Sequence, residues 1–277
     1  MPDLSFITDF ISDLLYGSFF SLAKSIWNGI MDMCFGVMSK SPQDFSAGTW
    51  EFVEKDLYPW ALSIGILMVN LFFLVGFCKS FMNLKEHITL ELCVETMIRL
   101  VCVNALLRMG MPIMKTILKM AAALAGDVIY IERIAFFTED GDIGSHLFWW
   151  MLGFLYFLVA VICAFMIFLT VYGRYVKLYL LVVFFPFAMP TVIGGRGIEA
   201  SAYAWVKTFL SNTFEIVAIA LTMAICGRLI AGITISSNWF TGLFDGANQA
   251  FNSLVHMILM TASVKSASSL INKAFAL

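Results

Sequence analysis

Charged residues inside an apolar stretch are the first candidates for chemistry in this chain. Glu91, Glu95 and Arg99 are four residues apart, so a helix places all three on one face and Glu95 can pair with Arg99. Each charge near the centre of a bilayer costs about 2.5 to 3.5 kcal/mol, so we expect this face to contact another protein or water. A membrane span that starts later along the chain would instead leave Glu91, or both acids, at the membrane interface.

A second candidate lies where the apolar run from 174 to 207 is interrupted by proline and glycine. Pro186 and Pro190 each remove a backbone donor, and such breaks persist in a bilayer only where protein or a water-filled cavity satisfies the freed groups. The sequence Gly194-Gly195-Arg196-Gly197 follows, and it lacks the lysine and hydroxyl residue that end a phosphate-binding loop. It predicts a tight turn from which Arg196 reaches a lipid headgroup, a carboxylate or a partner protein.

No set of residues typical of an enzyme or a metal site stands out. Serine, histidine and acidic residues do not combine at one plausible site, and the histidines at 87, 146 and 256 are far apart. The six cysteines include no Cys-x-x-Cys pair, which favours small reduced apolar residues over a metal or disulfide role. The sequence therefore predicts no enzymatic activity, no metal and no cofactor.

The composition places these candidates in a polytopic membrane protein. Of the 277 residues, 61% are hydrophobic and only 13% are charged, and the mean hydropathy is +0.89, all far from the soluble average. The formal net charge of -2 provides no global basic field that would attract nucleic acid. Any contact with DNA must therefore be local or made by partner proteins.

Runs without charged residues predict where the chain crosses the membrane. Residues 57–78 and 146–172 contain no Asp, Glu, Lys or Arg, and each is long enough for one helical crossing of about 20 residues. Further spans are predicted within 216–235 and 250–274. The region 88–126 contains Pro112, and we divide it there into a polar-faced span and an amphipathic helix.

The N-terminal region differs from the rest of the chain. Apolar residues recur at three- and four-residue steps over 3–38, which predicts an amphipathic helix or helix pair. This helix either lies on the membrane or the helical bundle, or forms an oligomer contact. The predicted fold is all-α, with an amphipathic region 1–56 followed by a single transmembrane helical domain 57–277.

Basic residues near the span ends predict the orientation. Lys79, Lys85, Arg174 and Lys177 indicate cytoplasmic loops. Residues 178–193 then either cross the membrane, giving six crossings, or re-enter and return, giving five. The second arrangement obeys the charge rule better, and it places the N-terminus outside and the C-terminus and Arg196 inside.

The proline-broken segment also carries a family resemblance. The run PFAMPTVIGGRGIEASAYAWVKTFLSNTFEIVAIALTMAI, which starts at Pro186 and includes Trp205 and Lys207, resembles the central part of the TrbL family. That family comprises polytopic inner-membrane subunits of VirB-type type IV secretion and conjugation systems. By hydropathy the likeness extends over about 57–275, and the chain is similar to the compact version of Gram-positive conjugative elements.

The resemblance implies a function, a location and a set of partners. It implies a non-enzymatic subunit of a DNA-transfer channel in the bacterial cytoplasmic (inner) membrane, which assembles as a homo-oligomer surrounded by membrane lipid. Its expected partners are a VirB-type ATPase, a small VirB3-like membrane protein and a VirB8-like scaffold, with DNA and its bound relaxase as cargo. Trp205 and Lys207, with the face of Glu91, Glu95 and Arg99, are candidates for contact with partners or with the channel lumen.

Two other classes of protein stay open on the sequence alone. A solute transporter or permease subunit would also contain broken helices, although such proteins usually show two similar halves, which this chain lacks. A purely structural membrane scaffold would conduct nothing. The identity of the proteins that co-purify with the chain separates these alternatives.

Overall fold

All regular structure in the described part of the chain is helical. The computed structural model describes residues 19–82, 90–128, 146–194, 197–232 and 247–275. A π-helical turn, Val53–Leu57, and a 3-10 helix, Met189–Gly194, interrupt the α-helices. The α-helices are α1 (Phe19–Met38), α2 (Pro42–Phe45), α3 (Ala47–Phe52), α4 (Tyr58–Met82), α5 (Leu90–Val128), α6 (His146–Ala188), α7 (Ala200–Gly232) and α8 (Ala247–Ala274).

Five helical stretches within the described ranges are long and apolar enough to cross a membrane. They are Ala47–Cys78, Val94–Val128, Leu152–Gly194, Ala200–Leu229 and Ala250–Ala274. The predicted class, an all-α polytopic membrane protein with five to six spans, is confirmed. The orientation and the identity of the membrane stay predictions.

Two predicted boundaries between elements are wrong. Arg174 and Lys177, expected in a loop, lie inside α6, and Pro112, expected to end a helix, lies inside α5. Arg174 fits inside a helix because its guanidinium donates to backbone carbonyls of α7 and does not need to reach water. Pro112 is exposed on the surface of α5, and membrane helices tolerate proline where nearby groups compensate for the lost hydrogen bond.

The described residues group into two compact units. The first takes its described residues from 1–39, 127–172 and 218–268, and the second from 40–126, 173–217 and 269–277. The predicted division into an N-terminal region 1–56 and a transmembrane domain 57–277 stays a prediction.

In the first unit, α1 packs against the first half of α6. The ring centroid of Phe20 lies 5.0 Å from that of Tyr156, and Phe19 lies against the backbone at Gly153. Lys24 and Asp32 are exposed on the opposite face of α1, so the predicted amphipathic helix is confirmed for 19–38. The remainder of that prediction, 3–18, lies outside the described residues.

In the second unit, residues 40–57 are fastened to α6 by two tyrosines. The Tyr175 hydroxyl donates to the Lys40 carbonyl at 2.9 Å, and the Tyr179 hydroxyl donates to the Pro42 carbonyl at 2.8 Å. The Phe45 ring stacks on Tyr175 with 4.2 Å between centroids. Since the tyrosines are one helical turn apart, they present both hydroxyls on the same face of α6.

The same segment is fastened to α5 by a charged cluster. Lys115 forms a salt bridge with Glu54, and the indole of Trp50 donates to the other oxygen of Glu54 at 2.8 Å. One turn further along, the Tyr58 hydroxyl donates to the Leu107 carbonyl at 3.2 Å. From the Glu54–Lys115 pair to the Tyr58–Leu107 pair, the residue number rises by four on the first segment and falls by eight on α5. The turn before α4 and the start of α4 therefore run antiparallel to α5.

The burial of α1 predicts that its cysteine, Cys34, reacts slowly. Cys34 is fully buried, and burial raises the pKa of its thiol from 9.0 to about 12. Because the thiolate is the reactive form, a shift of this size lowers the reactive fraction about a thousandfold near neutral pH. A variant that keeps Cys34 as its only cysteine should therefore label with maleimide at least about tenfold more slowly in mild detergent than after unfolding in SDS. Equal labelling rates in the two detergents would show that α1 is not packed as described.

Candidate functional site

The second half of α6 and the first half of α7 form an antiparallel helical hairpin. Arg174 donates through Nε to the Asn212 carbonyl at 2.9 Å, and the Trp205 indole donates to the Leu181 carbonyl at 3.1 Å. Between these contacts the residue number rises by seven on α6 and falls by seven on α7, as antiparallel packing requires. The hairpin contains most of the sequence-predicted site residues.

The tip of the hairpin lies at the glycine turn that the sequence predicted. Gly194 ends the 3-10 helix and is buried, with the space for a side chain occupied by Ile198. Gly197 has φ of +98°, a conformation that residues with a Cβ rarely adopt. The tight turn is therefore confirmed at Gly197, while Gly195 and Arg196 lie outside the described residues.

The proline break falls later than expected. α6 continues through Pro186 to Ala188, and the helix tightens to 3-10 geometry only from Met189, around the buried Pro190. Because Pro190 has no N–H, the Pro186 carbonyl loses the donor that an α-helix would supply four residues later. In apolar surroundings such a carbonyl needs another group that can interact with its oxygen.

Glycines of α4 lie directly against the carbonyls of the broken segment. A Cβ added to Gly65 would stand 2.5 Å from the Pro186 oxygen, and one added to Gly76 would stand 2.6 Å from the Ile193 oxygen. Both carbonyl oxygens thus occupy the space that a side chain would take. They therefore point toward the Cα hydrogens of Gly65 and Gly76. Such Cα–H···O contacts recur at close helix interfaces and contribute about 0.5 to 1 kcal/mol each.

A glycine of α5 completes the packing around the break. A Cβ added to Gly110 would collide with the Phe185 ring, so only glycine lets that ring lie against the α5 backbone. Phe185 also contacts the Trp205 indole edge-to-face, with 5.1 Å between centroids. Small residues that let helices approach closely are a recurrent feature of membrane helix packing. The hairpin is therefore held on two sides, by α4 and by α5.

Arg174 lies at the open end of the hairpin and is only 3% exposed. Besides its bond to Asn212, Nη2 lies 3.4 Å from the Thr213 carbonyl oxygen. The remaining nitrogen, Nη1, and the Thr213 hydroxyl are buried without a hydrogen-bond partner among the described residues. A buried charge is normally paired and hydrogen-bonded. Arg174 Cζ also lies 5.3 Å from the ring centroid of Tyr175, within cation–π distance.

Glu215 is the acidic neighbour of this site. It is 6% exposed, and the positive charges of Lys177 and Arg174 both act on its carboxylate. Glu215 and Arg174 interact electrostatically but do not form a salt bridge. Two opposite charges are thus buried near each other without direct contact.

Trp205 and Lys207 have different surroundings on α7. Trp205 is half-buried inside the hairpin, and its indole stacks on Phe209 with 5.1 Å between centroids. Lys207 is exposed, as is Tyr203 one turn earlier. Trp205 thus packs the hairpin internally, whereas Lys207 is available for an external contact, and their predicted roles toward partners or the lumen stay predictions.

The predicted salt bridge on α5 is present. Arg99 Nη2 lies 2.7 Å from Glu95 Oε1, and both side chains are about half exposed. Glu91 lies on the same helix, but its side chain is outside the described residues. Sequence spacing alone identified this pair because both partners lie on one helix, four residues apart.

The depth of this pair follows from the contact between α4 and α5. Tyr58 begins the charge-free stretch of α4 and donates to the Leu107 carbonyl, which marks the corresponding level on α5. Arg99 and Glu95 are 8 and 12 residues from Leu107, or about 12 and 18 Å along the helix. A hydrocarbon core is about 30 Å thick, so the pair lies beside the middle of the charge-free stretch.

The sequence pointed to the hairpin but not to the residues that hold it. Arg174 looked like a loop residue, and its acceptors are 38 and 39 positions further along the chain. Gly65, Gly76 and Gly110 were overlooked, although isolated glycines in apolar helices are a general sign of close helix approach. Among the described residues, no group of three His, Cys, Asp or Glu is arranged to hold a metal ion.

The contacts of Gly65 predict a large effect from one methyl group. We expect Gly65→Ala to destabilise the protein by about 1 to 3 kcal/mol, because the new Cβ overlaps the Pro186 backbone and the two helices must separate. Gly173→Ala is the matched control, since no atom lies within 4 Å of its added Cβ. Thermal unfolding in detergent should show a lower midpoint for the first variant and an unchanged or higher one for the second.

The bonds of Arg174 predict that lysine cannot replace it. We expect Arg174→Lys to destabilise by about 1 to 3 kcal/mol, because one ammonium cannot reproduce the forked contacts to two carbonyls. Lys207→Met serves as the control, since Lys207 is exposed on α7 of the same hairpin. Chemical unfolding should place the control within about 0.5 kcal/mol of the native protein. Equal stability of Arg174→Lys would show that charge alone matters at this position.

Comparisons with known proteins add no identity to this geometry. No family model, no curated protein and no solved structure matches the chain. The case for a function therefore rests on the residues of the hairpin, on the charged face of α5 and on the sequence itself.

Proposed function

We propose that this chain is a non-enzymatic membrane subunit of a type IV secretion or conjugative DNA-transfer channel. In this proposal several copies assemble to form or support the translocation path in the cytoplasmic membrane of a bacterium. They act with a VirB-type ATPase, a VirB3-like protein and a VirB8-like scaffold. The secretion assignment rests on the TrbL-like run that begins at Pro186, and the assembly assignment rests on the Glu95–Arg99 pair.

The observation that carries the assembly part is an exposed ion pair on α5, which the Tyr58–Leu107 contact sets beside the charge-free stretch of α4. Glu95 and Arg99 are about half exposed and lie beside the middle of the charge-free stretch of α4. Lipid hydrocarbon on that face would impose a cost of about 2.5 to 3.5 kcal/mol for each charge. Water in a lumen or the surface of a neighbouring subunit would remove this cost. Both are supplied by an oligomeric channel.

The length of α6 supports the same conclusion. Its 43 residues rise about 64 Å, and a tilt of 40° would still leave about 49 Å along the membrane normal. A hydrocarbon core covers about 30 Å. Large apolar side chains are exposed in both halves of the helix, at Phe154 and Leu169 and again at Val176 and Phe184. Lipid can cover only part of them, so other protein is expected to cover the remainder.

The packing of the proline break disfavours the transporter alternative. In transporters with broken helices, unwound carbonyls typically coordinate the substrate or coupling ion near the membrane centre. Here the carbonyls of Pro186 and Ile193 face Gly65 and Gly76 of α4. They are occupied by protein contacts, so they suit a structural joint better than a solute site.

The likeness to the TrbL family falls on one structural element. The similar run starts at Pro186 and covers the end of α6, the 3-10 helix, the turn at Gly197 and most of α7. The residue-level part of the resemblance thus coincides with one packing unit, the hairpin and its tip. Lys207 and Tyr203, exposed on that hairpin, are its candidate contacts with partners.

The proposal predicts the result of neutralising the exposed pair. We expect the double variant Glu95→Gln with Arg99→Gln to reduce conjugation frequency at least tenfold, because the polar face would no longer match the lumen or the neighbouring subunit. The matched control is Glu51→Gln with Lys55→Gln, which removes an exposed pair of the same spacing that precedes Tyr58. The control should transfer DNA at a frequency within about twofold of the native protein.

Purification from mild detergent separates the two parts of the proposal. The native protein should elute as an oligomer together with the ATPase and the VirB8-like scaffold. Loss of the oligomer in the double variant would place the pair at a subunit contact, and an intact oligomer that fails to transfer DNA would place it in the lumen. A native protein recovered only as a monomer with a small solute would refute the channel assignment.

A further inference from the structure

The outward face of α4 carries an amide in the middle of an apolar span. Asn70 is exposed, and it lies about 4 Å along the helix from the midpoint of the charge-free run 57–78. Leu67, Leu71 and Leu74 on the same side of the helix are each more than half exposed. A face this apolar suits lipid hydrocarbon or other protein, and it does not suit a water-filled lumen.

Exposed residues form a regular seam along this face. Their spacing alternates between three and four residues, which is the period of helices that pack side by side in left-handed coiled coils. Asn70 is nine residues, or two and a half turns, from the buried Ala61, and Leu74 is equally far from the buried Gly65. The seam therefore lies opposite the face of α4 that packs within its own unit. Its members are Trp60, Ser63, Leu67, Asn70, Leu74 and Phe77.

The Asn70 amide requires a partner outside its own helix. It carries two N–H donors and a carbonyl acceptor, and a bond to a carbonyl of the same helix occupies only one of the donors. Hydrocarbon offers no hydrogen bond to the other groups, so lipid on this face is unfavourable. Asparagine side chains in membrane helices accordingly form hydrogen bonds across to neighbouring helices.

The seam is complementary to itself. Copies of a membrane protein insert with one orientation, so residues of the same number lie at the same depth and Asn70 faces Asn70 across a two-fold contact. An amide both donates and accepts, so each amide satisfies the other. The seam contains no charged side chain that would need an opposite charge on a different partner. A single asparagine in an apolar heptad seam also fixes the register and the number of helices that associate.

We propose that α4 of one chain packs against α4 of a second copy along this seam, with the two Asn70 amides hydrogen-bonded to each other. This inference deepens the assembly part of the proposed function and rests on it, since it requires that copies associate. Glu95 and Arg99 belong to α5 and are not part of the contact. They stay available for a lumen or for a further neighbour.

Disulfide crosslinking of the full chain in membranes tests where the copies meet. Leu67→Cys and Leu74→Cys are made separately in a chain whose six native cysteines are replaced by alanine, and the membranes are oxidised with copper phenanthroline. Each should give about tenfold more disulfide-linked dimer than the control, because a disulfide forms only where the two Cα atoms approach within about 7 Å. The control is Leu180→Cys, an exposed leucine on α6 of the same unit.

Substitution of the amide tests what holds the contact together. Energy transfer between labelled copies in liposomes, measured as lipid dilutes the protein, should show self-association about tenfold weaker for Asn70→Leu. Asn70→Gln keeps an amide and should stay within about threefold of the native protein. Asn104→Leu is the matched control, and should stay within about twofold because the Asn104 amide donates to the Leu100 carbonyl of its own helix.

The outcomes separate this contact from the proposed function. An oligomer that persists while Leu67→Cys and Leu74→Cys crosslink no better than the control would overturn the α4 contact and leave the assembly proposal standing. Crosslinks to a different protein, or unchanged association of Asn70→Leu, would also overturn it. Strong α4 crosslinks in a protein that co-purifies with no secretion partner would support the contact and count against the secretion assignment.

Discussion

Backbone carbonyls freed by proline, in a chain whose surroundings are apolar, constrain the second unit more than any other single interaction. Pro190 deprives the Pro186 carbonyl of its helical donor, and the glycine hydrogens of α4 occupy the space in front of that oxygen. The contact fixes how closely α4 approaches the end of α6. It also fixes their register, because Gly65 and Gly76 meet Pro186 and Ile193 in the same order along both chains.

The rest of the hairpin follows from that register. Once the end of α6 is held, the turn at Gly197 sends α7 back along it, and Trp205 then reaches the Leu181 carbonyl. Seven residues further from the tip, Arg174 reaches Asn212. The same packing places Phe185 against Gly110 of α5, so one close contact at the break organises α4 to α7 within this unit.

Much of the fold was predictable because local composition determines which segments can cross a membrane. Charge-free runs at 57–78 and 146–172 predicted spans, the four-residue spacing predicted the Glu95–Arg99 pair, and glycine predicted the turn at Gly197. These signals depend on neighbours within a few residues. They did not require knowledge of which helices touch.

The error at Arg174 has the opposite origin, since its partners are distant in the chain. Arg174 follows an aromatic residue after a long apolar run, which is typical of a span end. Its acceptors on α7 are 38 and 39 residues away, and no local pattern reveals them. The lysine at 115 similarly looked like one charge of an amphipathic helix, but it pairs with Glu54, 61 residues earlier.

The two ends of the hairpin are stabilised by different kinds of interaction. Near the tip, the glycine contacts depend on close packing and on neutral carbonyl groups, and involve no charged side chain. At the base, Arg174 and Glu215 are buried charges whose balance depends on each hydrogen bond around them. The stability of the base therefore depends on charge and hydrogen bonding, whereas that of the tip depends on close packing against α4. The base is also the end of the hairpin that Tyr175 and Tyr179 fasten to residues 40–57.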